Sequence, residues 1–300
     1  MKELIERFKD GSVKDVILDT DCYNEIDDQF ALAYLMRSPD RVNLLSINAA
    51  PFLNKRAASA EDGMEKSYNE IFRIMKLVDK DADIPVYRGS REFMTDRNVP
   101  VESEAADNII NTVMNSEKTV YIVAIGAITN VASAVVKCPE ICKKAVLIWL
   151  GGHALHWQDT KEFNLRQDIP GAQVVFDCGI PLVQIPCAGV CTEFITTVPE
   201  LKYYLGGKNE LCDYLVDIVS NFSKKPYGWS KVVWDVTAAA VLIKPEALDF
   251  VVIPAPVITP DCRYAFDPAR HHYIYVRRIK RDPIYADLFE KLSATERGKI

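Results

Sequence analysis

No stretch of 18 apolar residues occurs in this 300-residue sequence, so no membrane-crossing helix is expected. Met1 to Lys9 is charged and amphipathic, without the apolar core of 7 to 15 residues that a secretory leader needs, and a soluble, cytoplasmic protein is expected. Paired CxxC spacing is also missing. The 8 cysteines (Cys22, Cys138, Cys142, Cys178, Cys187, Cys191, Cys212 and Cys262) are scattered through apolar surroundings, which argues against a thiolate zinc site or a dithiol redox motif. The chain is too long to depend on a disulfide scaffold, so reduced thiols are expected.

An excess of positive charge is absent as well. Lys and Arg number 36 against 42 Asp and Glu, a net charge of −6, whereas binding nucleic-acid phosphates needs a basic face. The densest basic run, Arg277-Arg278-Ile279-Lys280-Arg281, reads as a solvated edge. Repeats, low-complexity tracts and linkers are lacking, which predicts one domain over residues 1–300. With 49% hydrophobic and 26% charged residues, such a chain can bury about three quarters of its unfolded surface without help from a metal. Any metal is therefore expected to be functional.

What is present is a repeated strand, loop and helix grammar. Val16 to Asp19 is a β-branched run ending in acids, and Asp27 to Met36 carries apolar residues at helical spacing. Further strands are predicted at 42–47, 119–125, 145–150 and 181–185, with helices at 63–78, 107–114, 130–136 and 171–178. Residues 201–231 read as helical and then as a loop over a pocket, rich in Tyr, Trp, Pro and Gly. Short strands with Pro turns follow at 250–280, and a closing helix at 283–292. The alternation predicts an α/β fold: a mostly parallel central sheet flanked by helices. Its active site should lie at the C-terminal strand ends, where the connecting loops converge.

The stretch Asp19-Thr-Asp-Cys-Tyr-Asn-Glu-Ile-Asp-Asp28 falls at such an end. Asp19, Asp21, Glu25, Asp27 and Asp28 would repel one another without a cation, and hard cations such as Ca²⁺ and Mg²⁺ take oxygen ligands. Helix capping accounts for one or two of these acids, not for all of them. An EF-hand loop would need Gly at Asn24 and Glu at Phe30. An aspartyl-phosphate phosphatase would need Thr or Val at Tyr23. Asp235, opening the apolar stretch Val236 to Ile243, could be an N-cap or a further acid of the same site.

This pattern resembles the inosine-uridine-preferring nucleoside hydrolase family, from the Asp-Thr-Asp and Asp27-Asp28 signature onward. Ile125-Gly126-Ala127-Ile128-Thr129-Asn130 is similar to the family's Gly-Pro-Leu-Thr-Asn segment. Leu150-Gly151-Gly152, then Glu162-Phe163-Asn164 and Asp168, resembles its glycine run and Glu-Phe-Asn segment. The resemblance covers most of the chain and implies a calcium-dependent nucleoside N-ribohydrolase that releases base and ribose.

Carried over, it implies that Asp21, Asp28, Asp235 and the Ile125 carbonyl hold Ca²⁺, with Asp21 also orienting the attacking water and accepting its proton. Asp19 would stand behind these ligands. Asp27, Glu162 and Asn164 would bind ribose hydroxyls, together with Asn54 or, alternatively, Asn48. A homo-oligomer, dimer or tetramer, is implied by the resemblance alone. Two departures stand out: five residues rather than three separate Asp21 from the Asp27-Asp28 pair, and Trp234 precedes Asp235 where many members carry His. Asn24 or Glu25 could take a ligand or sugar role in the longer loop.

Trp234 is accordingly expected to line the base pocket, with His153, His156, Tyr227 and Trp229 as other candidates near the leaving group. Alternative readings are hydrolysis of another ribosyl conjugate, a catalytically silent calcium-dependent sugar binder, and, with less support, phosphoryl transfer. No Walker-type loop or phosphate-binding Arg cluster accompanies the acids.

Overall fold

Continuous β-branched and apolar runs set the strands of the sheet, and polar caps set where its helices begin. The computed structural model describes residues 1–294. A short helix α1 (Lys2–Lys9) precedes β1 (Lys14–Thr20), α2 (Asp28–Met36), β2 (Val42–Ala49), α3 (Ala60–Val78), β3 (Val86–Arg88) and α4 (Glu104–Asn115). Then come β4 (Val120–Ala124), α5 (Thr129–Lys137), β5 (Ala145–Leu150), α6 (Phe163–Gln167), α7 (Ile169–Asp177) and β6 (Leu182–Ile185). The remainder comprises β7 (Ile195–Thr196), α8 (Val198–Tyr204), α9 (Glu210–Ser220), β8 (Lys231–Val232), α10 (Val236–Ile243), β9 (Leu248–Pro254), β10 (Val257–Ile258), β11 (Tyr264–Ala265), β12 (His272–Ile279) and α11 (Arg281–Ser293).

The expected elements are present, with ends moved by caps. Helices α3 and α4 each start three residues before the apolar periodicity, because the Ser59 hydroxyl accepts from the Asp62 amide and the Ser103 hydroxyl from the Ala106 amide. Each serine satisfies a backbone donor that the helix leaves unpaired.

Among the described residues, eight strands form one sheet in the order β3-β2-β1-β4-β5-β6-β12-β9. All neighbours are parallel except β9, which runs antiparallel to β12 at one edge. Strands β4, β5 and β6 are buried along their whole length, as strands covered on both faces must be. Helices α2 and α10 pack against each other; all of α10 and all of α2 except Met36 are buried, so neither presents a solvated polar face.

The basic run at 277–281 is a correction. Arg277, Arg278 and Lys280 are exposed as expected, but β12 lies inside the sheet rather than at its edge. The run is solvated because it extends past the short β6, where Arg277 pairs with Asp249 of β9 at 2.6 Å. All 8 cysteines are free. Among the described residues no helix is long and apolar enough to cross a membrane. The single domain expected over 1–300 includes residues 295–300, which lie outside the described residues.

Candidate active site

Strand order decides where a site can form. The strand order reverses between β1 and β4: the chain passes from β1 to β2 on one side and from β4 to β5 on the other, so a crevice opens between their carboxyl ends. Asp19 pairs in register with Asn48 of β2 and Ala124 of β4, and its carbonyl accepts from the Ile125 amide at 2.8 Å. Asp21 and Ile125 therefore emerge side by side. Gly126 lets them approach: a Cβ there would lie 3.0 Å from the Ala50 Cβ and 3.2 Å from the Asp21 Cβ and Cγ.

The packing of α2 on α10 brings two distant acids to the same place, since Asp28 opens the first helix and Asp235 immediately precedes the second. Carboxylate oxygens of Asp27, Asp28 and Asp235 all lie within 4.8 Å of one another. Asp28 accepts from the Thr20 hydroxyl at 2.5 Å. Both oxygens of Asp21 are buried and meet no hydrogen-bond donor among the described residues. Burial, followed by repulsion from the neighbouring carboxylates, pushes the pKa values of Asp21, Asp28 and Asp235 well up.

Such a donor set fits a hard divalent cation: buried carboxylates, oxygen only, with lone pairs the protein does not satisfy. The compact trio includes Asp27, expected to bind sugar, and leaves Asp21, expected as a ligand, immediately beside it. Asp19 stands behind them, fully buried. Its Oδ2 accepts from the Asn130 amide at 2.9 Å, and burial raises its pKa to about 7 against the help of Asn130 and Asn48.

The opposite wall is built differently. Glu162 caps α6 and accepts backbone N–H bonds from Gly152 (3.0 Å), Asn164 (2.8 Å) and Leu165 (2.9 Å). Burial raises its pKa while these donors oppose the rise. The Asn164 amide donates to the carbonyls of Ile125 (3.2 Å) and Leu150 (3.1 Å), tying the ends of β4 and β5 together. Gly152 has φ +78°, and a Cβ there would sit 2.3 Å from the Tyr264 hydroxyl, so only glycine turns the chain toward Glu162. Asp168 is absorbed by the scaffold, accepting from Gly171, Met94 and Thr129.

Between the walls lies a cleft of about 250 Å³, lined among others by Asn24, Asp27, Ile125, His153, Glu162, Asn164, Trp234 and Asp235. Asn54 does not line it. Its amide donates instead to the Asn24 side chain at 2.6 Å, and Asn24 reaches the cleft. Asn48 is buried within β2 and accepts from Asn108 at 3.0 Å.

Of the aromatic and imidazole candidates, His153 and Trp234 line the cleft. Tyr227 is fully exposed, His156 is exposed, and Trp229 stacks on Phe222 with ring centroids 6.1 Å apart. Sequence reasoning missed Lys231, a buried lysine paired with Glu25 and 3.7 Å from Asp27. Burial opposes its charge, but the Asp27 and Glu25 carboxylates outweigh that and raise its pKa. A lone lysine in the apolar run Lys231-Val-Val-Trp234 was the available signal.

A family model described as "Inosine-uridine preferring nucleoside hydrolase" matches residues 16–280. The pyrimidine-specific ribonucleoside hydrolase RihA of Klebsiella pneumoniae subsp. pneumoniae is 30% identical over 172 residues, 48% of this chain and 55% of that protein. The chain thus spans about half the length of the curated relatives it matches. Among solved structures, the purine-preferring ribonucleoside hydrolase from Gardnerella vaginalis superposes with a TM-score of 0.77 at 21% identity, covering 93% of this chain and 98% of that one. A plant nucleoside hydrolase, PpNRh1, gives 0.76 at 19% identity, with 94% and 100% covered. At these identities the two structures speak to the fold.

Proposed function

The chain belongs to the inosine-uridine preferring nucleoside hydrolase family, and from that premise we propose that it hydrolyses the N-glycosidic bond of a ribonucleoside, releasing ribose and free base. Asp21, Asp28, Asp235 and the Ile125 carbonyl would hold a calcium ion. The observation that carries this reading is Asp21, whose two oxygens are buried without a donor beside the trio Asp27, Asp28 and Asp235. Ca²⁺ bound there would supply charge that offsets the acids and Lewis acidity toward water and a vicinal diol.

The protein's own groups then divide the work. Asp21 orients the attacking water and accepts its proton. Glu162, fixed by its backbone donors, and Asp27 bind ribose hydroxyls, placing negative charge near the oxocarbenium-like carbon. Asn164 spends its amide N–H groups on the Ile125 and Leu150 carbonyls, which leaves Oδ1 to accept from the sugar. Asn24, held by Asn54, adds a polar contact at the rim. These contacts turn sugar binding into orientation of the reacting carbon.

At the base end, His153 Nδ1 accepts from the Ala188 amide at 3.3 Å, so the neutral ring carries its proton on Nε2. Burial lowers the pKa of this ring, which favours that neutral form. The Nε2–H of His153 can therefore donate a hydrogen bond to the departing base, whose proton comes from water, and Trp234 supplies an aromatic wall. Free-ribose release from a panel of purine and pyrimidine nucleosides, with and without a chelator, tests the reading. Release that stops on chelation and returns with Ca²⁺ is expected. No release from any nucleoside after Ca²⁺ reloading would sink it.

A further inference from the structure

We propose that Lys231 is a positioning residue that holds the sugar-binding Asp27 and the base-facing Trp234 in one arrangement, and that Glu25 is the carboxylate that keeps Lys231 in place. The proposal rests on reading the cleft as a ribosyl hydrolase site.

Lys231 is 4% exposed. Lysines are almost never buried this deeply unless paired, because the ammonium gives up its hydration. Its partner is the Glu25 carboxylate, with which it forms an ion pair, and the Asp27 Oδ1 lies 3.7 Å from the same Nζ. That distance is too long for a hydrogen bond but well within strong Coulomb attraction at a buried site. The ammonium also sits 4.1 Å from the centre of the Trp234 ring and 5.3 Å from that of Phe222. A cation over an aromatic face restrains the ring plane.

One side chain therefore meets three cleft-lining groups from different parts of the chain: Glu25 and Asp27 from the loop after β1, and Trp234 from the segment before α10.

Both ends of the tie are anchored. Lys231 belongs to β8, whose backbone pairs with β7 (Thr196↔Lys231), so its position does not depend on the cleft. Glu25 sits in a loop held by Arg56, whose Nη1 donates to the Glu25 carbonyl at 3.1 Å while its guanidinium lies 4.4 Å from the Tyr23 ring centre. Asn54 fixes the preceding residue, Asn24, by donating to its Oδ1. Glu25 is thereby held at a fixed point, and it opposes the pull that Lys231 would otherwise exert on Asp27 alone. Without Glu25, the ammonium and Asp27 would close into a direct pair and draw Asp27 away from the sugar.

The test uses the full chain loaded with Ca²⁺ and the variants Lys231→Met, Lys231→Arg, Glu25→Gln and the Lys231→Met/Glu25→Gln double variant. D-ribose affinity by calorimetry, KM and kcat on a ribonucleoside, and Tm are measured for each. Lys231→Met is expected to weaken D-ribose binding and raise KM by about tenfold, Lys231→Arg to recover most of that loss, and the double variant to be no worse than Lys231→Met alone, as members of one coupled unit behave.

Unchanged ribose affinity and KM in Lys231→Met would overturn the proposal, as would an equal loss in Lys231→Arg or strictly additive losses. Should Lys231→Met fail to fold, Lys231→Gln takes its place: a several-fold rise in KM supports the proposal and an unchanged KM overturns it. A wild-type protein that binds D-ribose but releases none from nucleosides defeats the hydrolase reading, while the ribose affinities still decide the role of Lys231. A wild-type protein that does neither defeats both.

Discussion

Two buried carboxylates, one lining the cleft and one beneath its opposite wall, are treated in opposite ways. On one side, Glu162 receives three backbone N–H groups from Gly152, Asn164 and Leu165. On the other, Asp21 is equally buried and receives none. Burying an unpaired charge costs several kcal/mol, and a fold can offset it with donors or leave it to a ligand. The contrast teaches which acid is a finished tool and which is half of a site. Glu162 is already oriented for a neutral, hydroxyl-rich partner, whereas Asp21 is complementary to a cation and the water beside it.

The strongest way to break this contrast is to remove its unpaired member. Asp21→Ala is expected to lower kcat by at least about a thousandfold, the scale of an essential acid–base group. Steady-state ribose release measures it, and near-normal turnover would refute the role. The same comparison is sharpened by Glu162→Gln, for which a loss of about a hundredfold in kcat/KM is expected while the Ca²⁺-dependent rise in Tm stays intact. For the parent protein that rise corresponds to about 2.7 kcal/mol at a free Ca²⁺ concentration roughly one hundred times Kd. Equal loss of Ca²⁺ stabilisation in Asp21→Ala and Glu162→Gln would erase the distinction between the walls.

Gly126→Ala tests the geometry without touching an acid. The added Cβ would press on Asp21 from 3.2 Å, and Ca²⁺ affinity is expected to drop by about tenfold, on the scale of disturbing a group that orients a metal ligand. Calorimetry reads it, and unchanged affinity would show that Asp21 does not depend on this close approach.

The smallest effect concerns pH. Asp19 and Asp28 have folded pKa values raised from 3.8 to about 7, so between those limits the folded protein binds more protons than the unfolded chain. Stability of the metal-free protein must then fall as pH rises through that window. Saturating Ca²⁺ is expected to flatten the slope that Asp28 contributes and to spare that of Asp19. Denaturant titrations at pH 4.5 and 7 with chelator, repeated with Ca²⁺, compare the two; metal-free stability that climbs with pH would contradict the arrangement.

Much of this molecule is legible in local patterns. The apolar runs 119–125 and 145–150 could only be buried strands, and acids or glycines directly after them had to sit at strand ends. Asp21, Asp27 and Asp28 were visible because so many acids in so short a loop defy ordinary helix capping. Glu162 and Asn164 were visible only through the family resemblance, since a short Glu-Phe-Asn stretch has no period of its own.

By itself, then, the sequence determined the order of strands and helices and the residue types at the strand ends, because turn chemistry and hydrophobic period are local properties of the chain. Tertiary structure alone decided which of those residues meet. The stacking of α2 on α10 put Asp235 beside Asp28 and drew Asp27 into the same trio. Packing also placed Asn24 rather than Asn54 at the cleft, left Tyr227 in solvent, and set Lys231 against Glu25. Those outcomes depend on contacts between segments far apart in the chain, whose energies lie in packing and in charge at short range, and no window of neighbouring residues encodes them.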